Sequence, residues 1–406
     1  MGTVFVQLQE PPRRHRSGQG LALWDLGFRP FYLLAALLAM LSVPLWALQF
    51  SGLLASGGLR GSAWHAHEMV FGYALAIVIG FLFTAGRNWS GRATPTGRPL
   101  MALAALWVLA RVLVLTPWLW ASLAVNVAVP WLAAWGLWGA LHAGGNRRNY
   151  FFVGLLLALG LATAALHLGQ LGLWAKLQLP AAPFQGLGLP LALDLLLFMI
   201  AVMAGRVLPM FSNNGVPGMN ARREPRLERI ALAALLLLAA CDALGLSGPV
   251  MLLALLPALL AHSLRFALWQ PWKTLGNPLV WVLHAAYAWL LLHLALRAAA
   301  TLDWLPAASA THALTVGLIG LMTLGMITRT ALGHTGRPLK AGPVETAAYL
   351  ALLAAAVLRV FLPLLLPAAL LWAVWLSALC WTLAFALYLW RYGPMLLRPR
   401  VDGLPG

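Results

Sequence analysis

The sequence predicts an all-α polytopic membrane protein of twelve transmembrane helices, and three observations carry that prediction. Of 406 residues, 62% are hydrophobic and only 9% are charged, with a mean hydropathy of +0.84. Apolar runs follow one another almost without pause, each close to the ~20 residues that cross a hydrocarbon core. Lys and Arg gather in alternate gaps between those runs. No stretch has the composition of a soluble domain of ordinary size.

Taken in order, residues 1–29 carry Arg13, Arg14 and Arg16 but lack the short apolar core and small-residue cleavage site of a signal peptide, so they read as a cytoplasmic tail. The membrane domain then occupies 30–392. Helix 1 is expected over 30–50, opening on Arg29-Pro30-Phe31-Tyr32. Helix 2, over 66–86, is entered through Trp64-His65-Ala66-His67-Glu68 and leaves on Ala85-Gly86-Arg87. Helices 3 and 4 fall at 99–116 and 119–141, the first of them carrying Arg111. Helices 5 to 8 are expected over 149–171, 190–210, 227–245 and 248–268, with Asp242 in helix 7. Helices 9 to 12 fall at 278–298, 308–331, 344–365 and 367–391, with His312 opening helix 10 and Arg359 late in helix 11. Prolines and glycines interrupt several runs and soften their boundaries. A short cytoplasmic tail, 393–406, closes the chain.

With the N-terminus inside, only Arg60, Arg111, Lys176, Arg297 and Arg359 fall away from the cytoplasmic side or helix ends. That asymmetry predicts an even number of spans with both termini cytoplasmic. The net charge of +17 is therefore mostly a topology signal. Nucleic-acid binding would need the charge on one soluble face, and it is not there. Cys241 and Cys380 lack CxxC spacing and give no disulfide framework, iron–sulfur or zinc signature.

Internal repetition predicts three units of four helices, about 30–145, 146–273 and 274–392. Helices 2, 6 and 10 end on Ala85-Gly86-Arg87, Ala204-Gly205-Arg206 and Ile327-Thr328-Arg329. Counted from His67 and from His312, glycine recurs at +5 (Gly72, Gly317), +13 (Gly80, Gly325) and +24 (Gly91, Gly336), followed by Arg92 and Arg337. Such glycines allow a helix or a macrocycle to approach closely, and ordinary small-residue helix contacts explain them equally well.

Ten histidines in so apolar a chain point to a metal or haem centre between helices. His65, His67, His167, His293 and His312 fall toward the outer face; His142, His262, His284 and His334 fall toward the cytoplasm. His67 and His312, at equal depth on repeat-related helices, are the natural pair to hold one haem from opposite faces. His65 lies about 200° around the helix from His67. It either serves a second haem or a copper on the other side, or is a plain interfacial histidine. His284 is the next ligand candidate, with hydrogen bonding to a neighbouring helix as its alternative. His334, past the end of helix 10, either binds metal or caps carbonyls. His142, His167, His262 and His293 read as structural or interfacial. Arg111 and Arg359 are expected to pair with Asp242 or with haem propionates. Glu68 and Asp194 read as proton carriers or as partners that fix an imidazole. Met199, Met203 and Met210 read as packing residues.

The chain resembles the NnrS family, haem- and copper-containing proteins of the bacterial inner membrane tied to nitric oxide metabolism and nitrosative stress. The resemblance rests on RPFYLLAAL from Arg29, WHAHEMVFGY from Trp64, NWSGR from Asn88, GRVLPMFSNN from Gly205, WVLHAAYAWL from Trp281, HALTVG from His312 and MITRTALGHTGRPL from Met326. It implies one or two haem b groups and copper. Spacing and depth offer His67, His312, His65 and His284 for cofactors, and the same four with His334 for metals. Twelve helices with haem histidines on helices 2 and 10 are also similar to the catalytic subunit of haem–copper oxidases and nitric oxide reductases. Helices 6 and 7 here contain no histidine, so a binuclear centre of that design lacks its ligands.

Two functional classes follow. The first is a redox or gas-binding haemoprotein in the bilayer, a nitric oxide reductase-like oxidoreductase linked to denitrification, with nitric oxide as its ligand and an unidentified electron donor. The second is a transporter or a haem- or copper-handling protein, for which twelve spans and repeats are also typical.

Overall fold

A computed structural model describes residues 21–55, 61–172 and 186–404. The N-terminal tail through residue 20, Arg60 and Lys176 lie outside the described residues. The described chain is all-helical, with twelve long helices: α1 Phe28–Phe50, α2 Gly61–Ser90, α3 Arg98–Leu113, α4 Leu119–Ala143, α5 Phe151–Gln170, α6 Gly188–Gly215, α7 Pro225–Ala243, α8 Pro249–Leu268, α9 Pro278–Thr301, α10 Ala307–His334, α11 Pro343–Leu365 and α12 Leu370–Leu397. Ten are long and apolar enough to cross a membrane. The other two are α3, with 16 residues, and α7, which carries Arg226, Glu228, Arg229 and Asp242.

Local chemistry sets the starts. Pro99, Pro225, Pro249, Pro278 and Pro343 occupy the first turns, where a missing N–H costs nothing and φ is already helical. The Asn277 and Glu224 side chains accept the Leu279 and Arg226 N–H groups at two of these starts. The folded part extends past the expected membrane domain at both ends. The Ala22 N–H donates to the Leu397 carbonyl, and the buried Arg29 guanidinium donates to the Leu396 and Arg398 carbonyls.

The arrangement is cyclic. Helices α2, α6 and α10 touch one another at the centre. Around them α1 packs on α12, α4 on α5 and α8 on α9, so the contacts recur every fourth helix. The surface is apolar: Leu253 is 73%, Trp135 74% and Leu365 76% exposed, as lipid-facing side chains would be.

The glycine register turns out to be a helix-packing register. A Cβ on Gly72 would come within 2.6 Å of Leu38 in α1, and one on Gly317 would overlap Trp289 in α9. One turn-pair further on, a Cβ on Gly80 would meet Tyr32 of α1 at 3.0 Å, and one on Gly325 would meet Leu283 of α9 at 2.7 Å. Thus α1 docks on α2 as α9 docks on α10, and the space at these glycines is filled by protein, leaving none for a macrocycle.

A feature invisible in the sequence sits between those contacts. The helical turn widens to π geometry over Glu68–Ala74 in α2 and over Ala313–Gly320 in α10. Each widened segment begins on the residue after a histidine, His67 or His312. Such insertions are frequent at functional sites because they re-aim the side chains around them.

Candidate functional site

At the end of the bundle away from the Ala22–Leu397 contact, the starts of α2, α6 and α10 and parts of α1, α5, α11 and α12 line a cavity of about 600 Å³. Its lining is mostly apolar, and its main polar groups are His65, His312 and Arg359. The His312 Nδ1–H donates to the Ala308 carbonyl at 2.7 Å, one turn back in α10. That bond fixes the tautomer and leaves the Nε2 lone pair for a ligand role. The His65 ring stacks on Trp46 of α1, with centroids 4.2 Å apart and planes 22° from parallel. Its Nδ1 is buried with no hydrogen-bond partner among the described residues. The Arg359 guanidinium lies 5.9 Å from the Trp46 ring, and no carboxylate among the described residues pairs with it. Below, the Tyr73 hydroxyl meets the Thr323 hydroxyl at 2.5 Å, tying α2 to α10.

The geometry separates the two histidines expected to act together. His65 and His312 share the cavity, whereas His67 points to the opposite side of α2 and does not line it. The reason is the rotation anticipated for residues two apart on a helix: with His65 aimed inward, His67 faces α5. The His67 Nδ1–H donates to the Glu68 carboxylate at 2.9 Å, and its Nε2 lies 3.0 Å from Nε2 of His167. Glu68 accepts from Arg111 of α3 at 2.8 Å, and Arg111 also donates to Asn126 of α4. His67, Glu68 and His167 are buried, with His67 wholly inaccessible and His167 3% exposed.

His167 was set aside by sequence reasoning. A lone histidine late in an apolar run carries no motif, and only its outer depth, shared with His67, marked it. The pairings expected for the intramembrane charges also change. Arg111 pairs with Glu68, while Asp242 pairs with Arg297, whose other guanidinium nitrogen stands 3.9 Å from Asp194. Arg359 faces the cavity over the Trp46 ring, with no carboxylate partner among the described residues.

His284 and His334 do not join either group. His284 Nε2 bonds to the Ser212 hydroxyl at 2.8 Å among the rings of Phe266 and Trp269, so its inter-helix hydrogen bond is present. His334 packs beside Phe28 at the start of α1, its ring centroid 5.7 Å away. A further buried cluster escaped the sequence reading: Arg265 of α8 grips Glu228 of α7 at 2.8 and 3.0 Å and donates to Tyr287, whose hydroxyl meets His262 at 2.5 Å. Among the described residues, no three His, Cys, Asp or Glu side chains converge as a metal site.

The family model described as NnrS protein matches residues 22–400 of the chain. No curated protein matches it.

Proposed function

The chain belongs to the NnrS family, and from that premise we propose a haem- and copper-containing membrane protein of nitric oxide metabolism and nitrosative-stress defence, with haem b held in the cavity between His65 and His312. The observation that carries the reading is the company these histidines keep. An imidazole anchored through its Nδ1 shares an apolar cavity with an arginine that has no acidic partner among the described residues. The volume of about 600 Å³ falls within the range of cofactor pockets. A guanidinium facing an apolar cavity without a carboxylate is unfavourable in a membrane, and a propionate would supply the missing charge.

Bound there, haem would supply an iron that accepts nitrogen ligands and diatomic gases. The protein's side chains divide the work unequally. His312, oriented by Ala308, would be the permanent ligand. His65, stacked on Trp46 with its Nδ1 unpartnered among the described residues, would be the exchangeable one and would leave a position for nitric oxide. The reading extends to reduction of nitric oxide to nitrous oxide, which takes two electrons and two protons for each two molecules and therefore requires an external electron donor. The distribution of Lys and Arg supports placement in the bacterial inner membrane with both termini cytoplasmic.

The test is a reduced-minus-oxidised spectrum of detergent-purified protein, with and without anaerobic nitric oxide, for the parent, His65→Ala and His312→Ala. His65→Ala is expected to keep haem, lose the bis-histidine spectrum and take nitric oxide more readily; His312→Ala is expected to lose most of the haem. Unaltered haem in both variants sinks the assignment. A colourless parent after haem supplementation returns the protein to the class of transporters for metal, haem or a small anion.

A further inference from the structure

The histidine pair behind the cavity wall is a site of its own. Ala66 and Leu166 line the cavity, and His67 and His167, the next residue in each helix, turn to the far side of that wall and bring their Nε2 atoms to 3.0 Å. The carboxylate of Glu68 accepts the His67 Nδ1–H, so the tautomer is set and the His67 Nε2 presents a lone pair. Carboxylate, imidazole and metal in this order are a recurring way to orient a ligand and raise its basicity. Glu68 is in turn charge-matched by Arg111 and aligned by it.

We propose that His67 and His167 together hold one copper ion in the monovalent state through their two Nε2 atoms. This rests on the copper part of the proposed function and supplies its ligands. Three features select the ion. Two nitrogen donors facing each other suit Cu(I), which accepts two collinear ligands, whereas structural zinc requires four. No third His, Cys, Asp or Glu converges here among the described residues, so a divalent ion would be left under-coordinated. Glu68 and Arg111 already neutralise each other, and one positive charge added to a dry site is less unfavourable than two. In the present contact the His167 Nε2–H donates to the His67 Nε2; to take the ion between them the Nε2 atoms draw apart slightly and the His167 proton shifts from Nε2 to its own Nδ1, leaving two neutral imidazole donors. The copper would then stand one helix wall from the haem cavity, since each ligand adjoins a lining residue.

The experiment measures copper and haem per chain in the protein purified with haem and loaded anaerobically with Cu(I), together with X-ray absorption at the copper edge. The parent is expected to hold one copper per chain with two nitrogen neighbours. His167→Ala and His67→Ala are expected to lose at least tenfold in copper while haem stays at the parental ratio. His167→Met guards against misfolding: it should retain copper, with one sulfur replacing one nitrogen in the absorption spectrum. Copper retained in both alanine variants, four-coordinate copper in the parent, or a haem-replete parent that takes up no copper each overturns the proposal. Copper present as expected in a protein without haem would sink the haem reading and leave this site standing.

Discussion

Glu68→Gln tests the network that orients His67 with almost no change of shape. Glu68 is 1% exposed, and its Oε1 accepts from both His67 Nδ1 and Arg111 at 2.9 and 2.8 Å. The substitution leaves Arg111, whose side chain is 10% exposed, as an uncompensated charge inside the bundle. Breaking one side of a buried pair costs about 3–5 kcal/mol. The lower end, about 3 kcal/mol, applies here because the amide oxygen can still accept one bond and Asn126 still accepts another. That is a change of about a hundredfold in the folding equilibrium. SDS-titrated unfolding in mixed micelles would read it, with Glu68→Leu/Arg111→Met as the control that removes both charges and recovers most of the loss. A Glu68→Gln protein within about 1 kcal/mol of the parent would refute the reasoning, because it would mean that water reaches the pair and exposed pairs contribute that little.

Two further substitutions have expected outcomes of the same kind. If haem occupies the cavity as proposed, Arg359→Leu, which removes the cavity's cation, should weaken haem retention about ten- to a hundredfold, the worth of a charge-assisted hydrogen bond, measured by haem transfer to an apo-globin; unchanged retention would remove the propionate role. Gly205→Ala places a methyl group onto the Arg265–Glu228 pair and should destabilise by about 3–5 kcal/mol in the unfolding assay, whereas Gly139→Ala, which meets nothing within 4 Å, should be nearly neutral.

The fold was legible because its determinants are one-dimensional. Length, apolarity and punctuation place a membrane helix without reference to its neighbours, and the observed elements begin within a few residues of the expected ones. Proline explains much of that agreement, since Pro225, Pro249, Pro278 and Pro343 mark starts that hydropathy leaves soft. Where α2, α6 and α10 run past their expected ends, they do so through polar residues such as Asn88, Asn213 and Asn214 that a hydropathy window rejects. Their backbone bonds continue regardless, because the next turn of helix satisfies them.

The candidate site was only half legible, and the reason is angular. Depth along a helix follows from counting residues, so His65, His67, His167 and His312 could all be placed toward one end. Azimuth requires knowing which face is inward. Sequence fixed only that His65 and His67 point apart, and either could have taken the cavity. The cavity itself decides it: Trp46 from α1 gives the His65 ring a stacking surface, and the Glu68–Arg111 pair holds the His67 ring toward α5. Arg111 can reach Glu68 only because residue 72 has no side chain, since a Cβ there would lie 2.9 Å from the Arg111 Nη1 and 3.2 Å from the Glu68 Oε2. The glycine five residues after the histidine therefore serves α1 packing and the Glu68–Arg111 pair that orients His67 at once. In α10 the glycine at the same offset meets Trp289 instead, with no arginine–carboxylate pair beside it. That difference, more than the shared register, sends one histidine of the pair into the cavity and the other behind its wall.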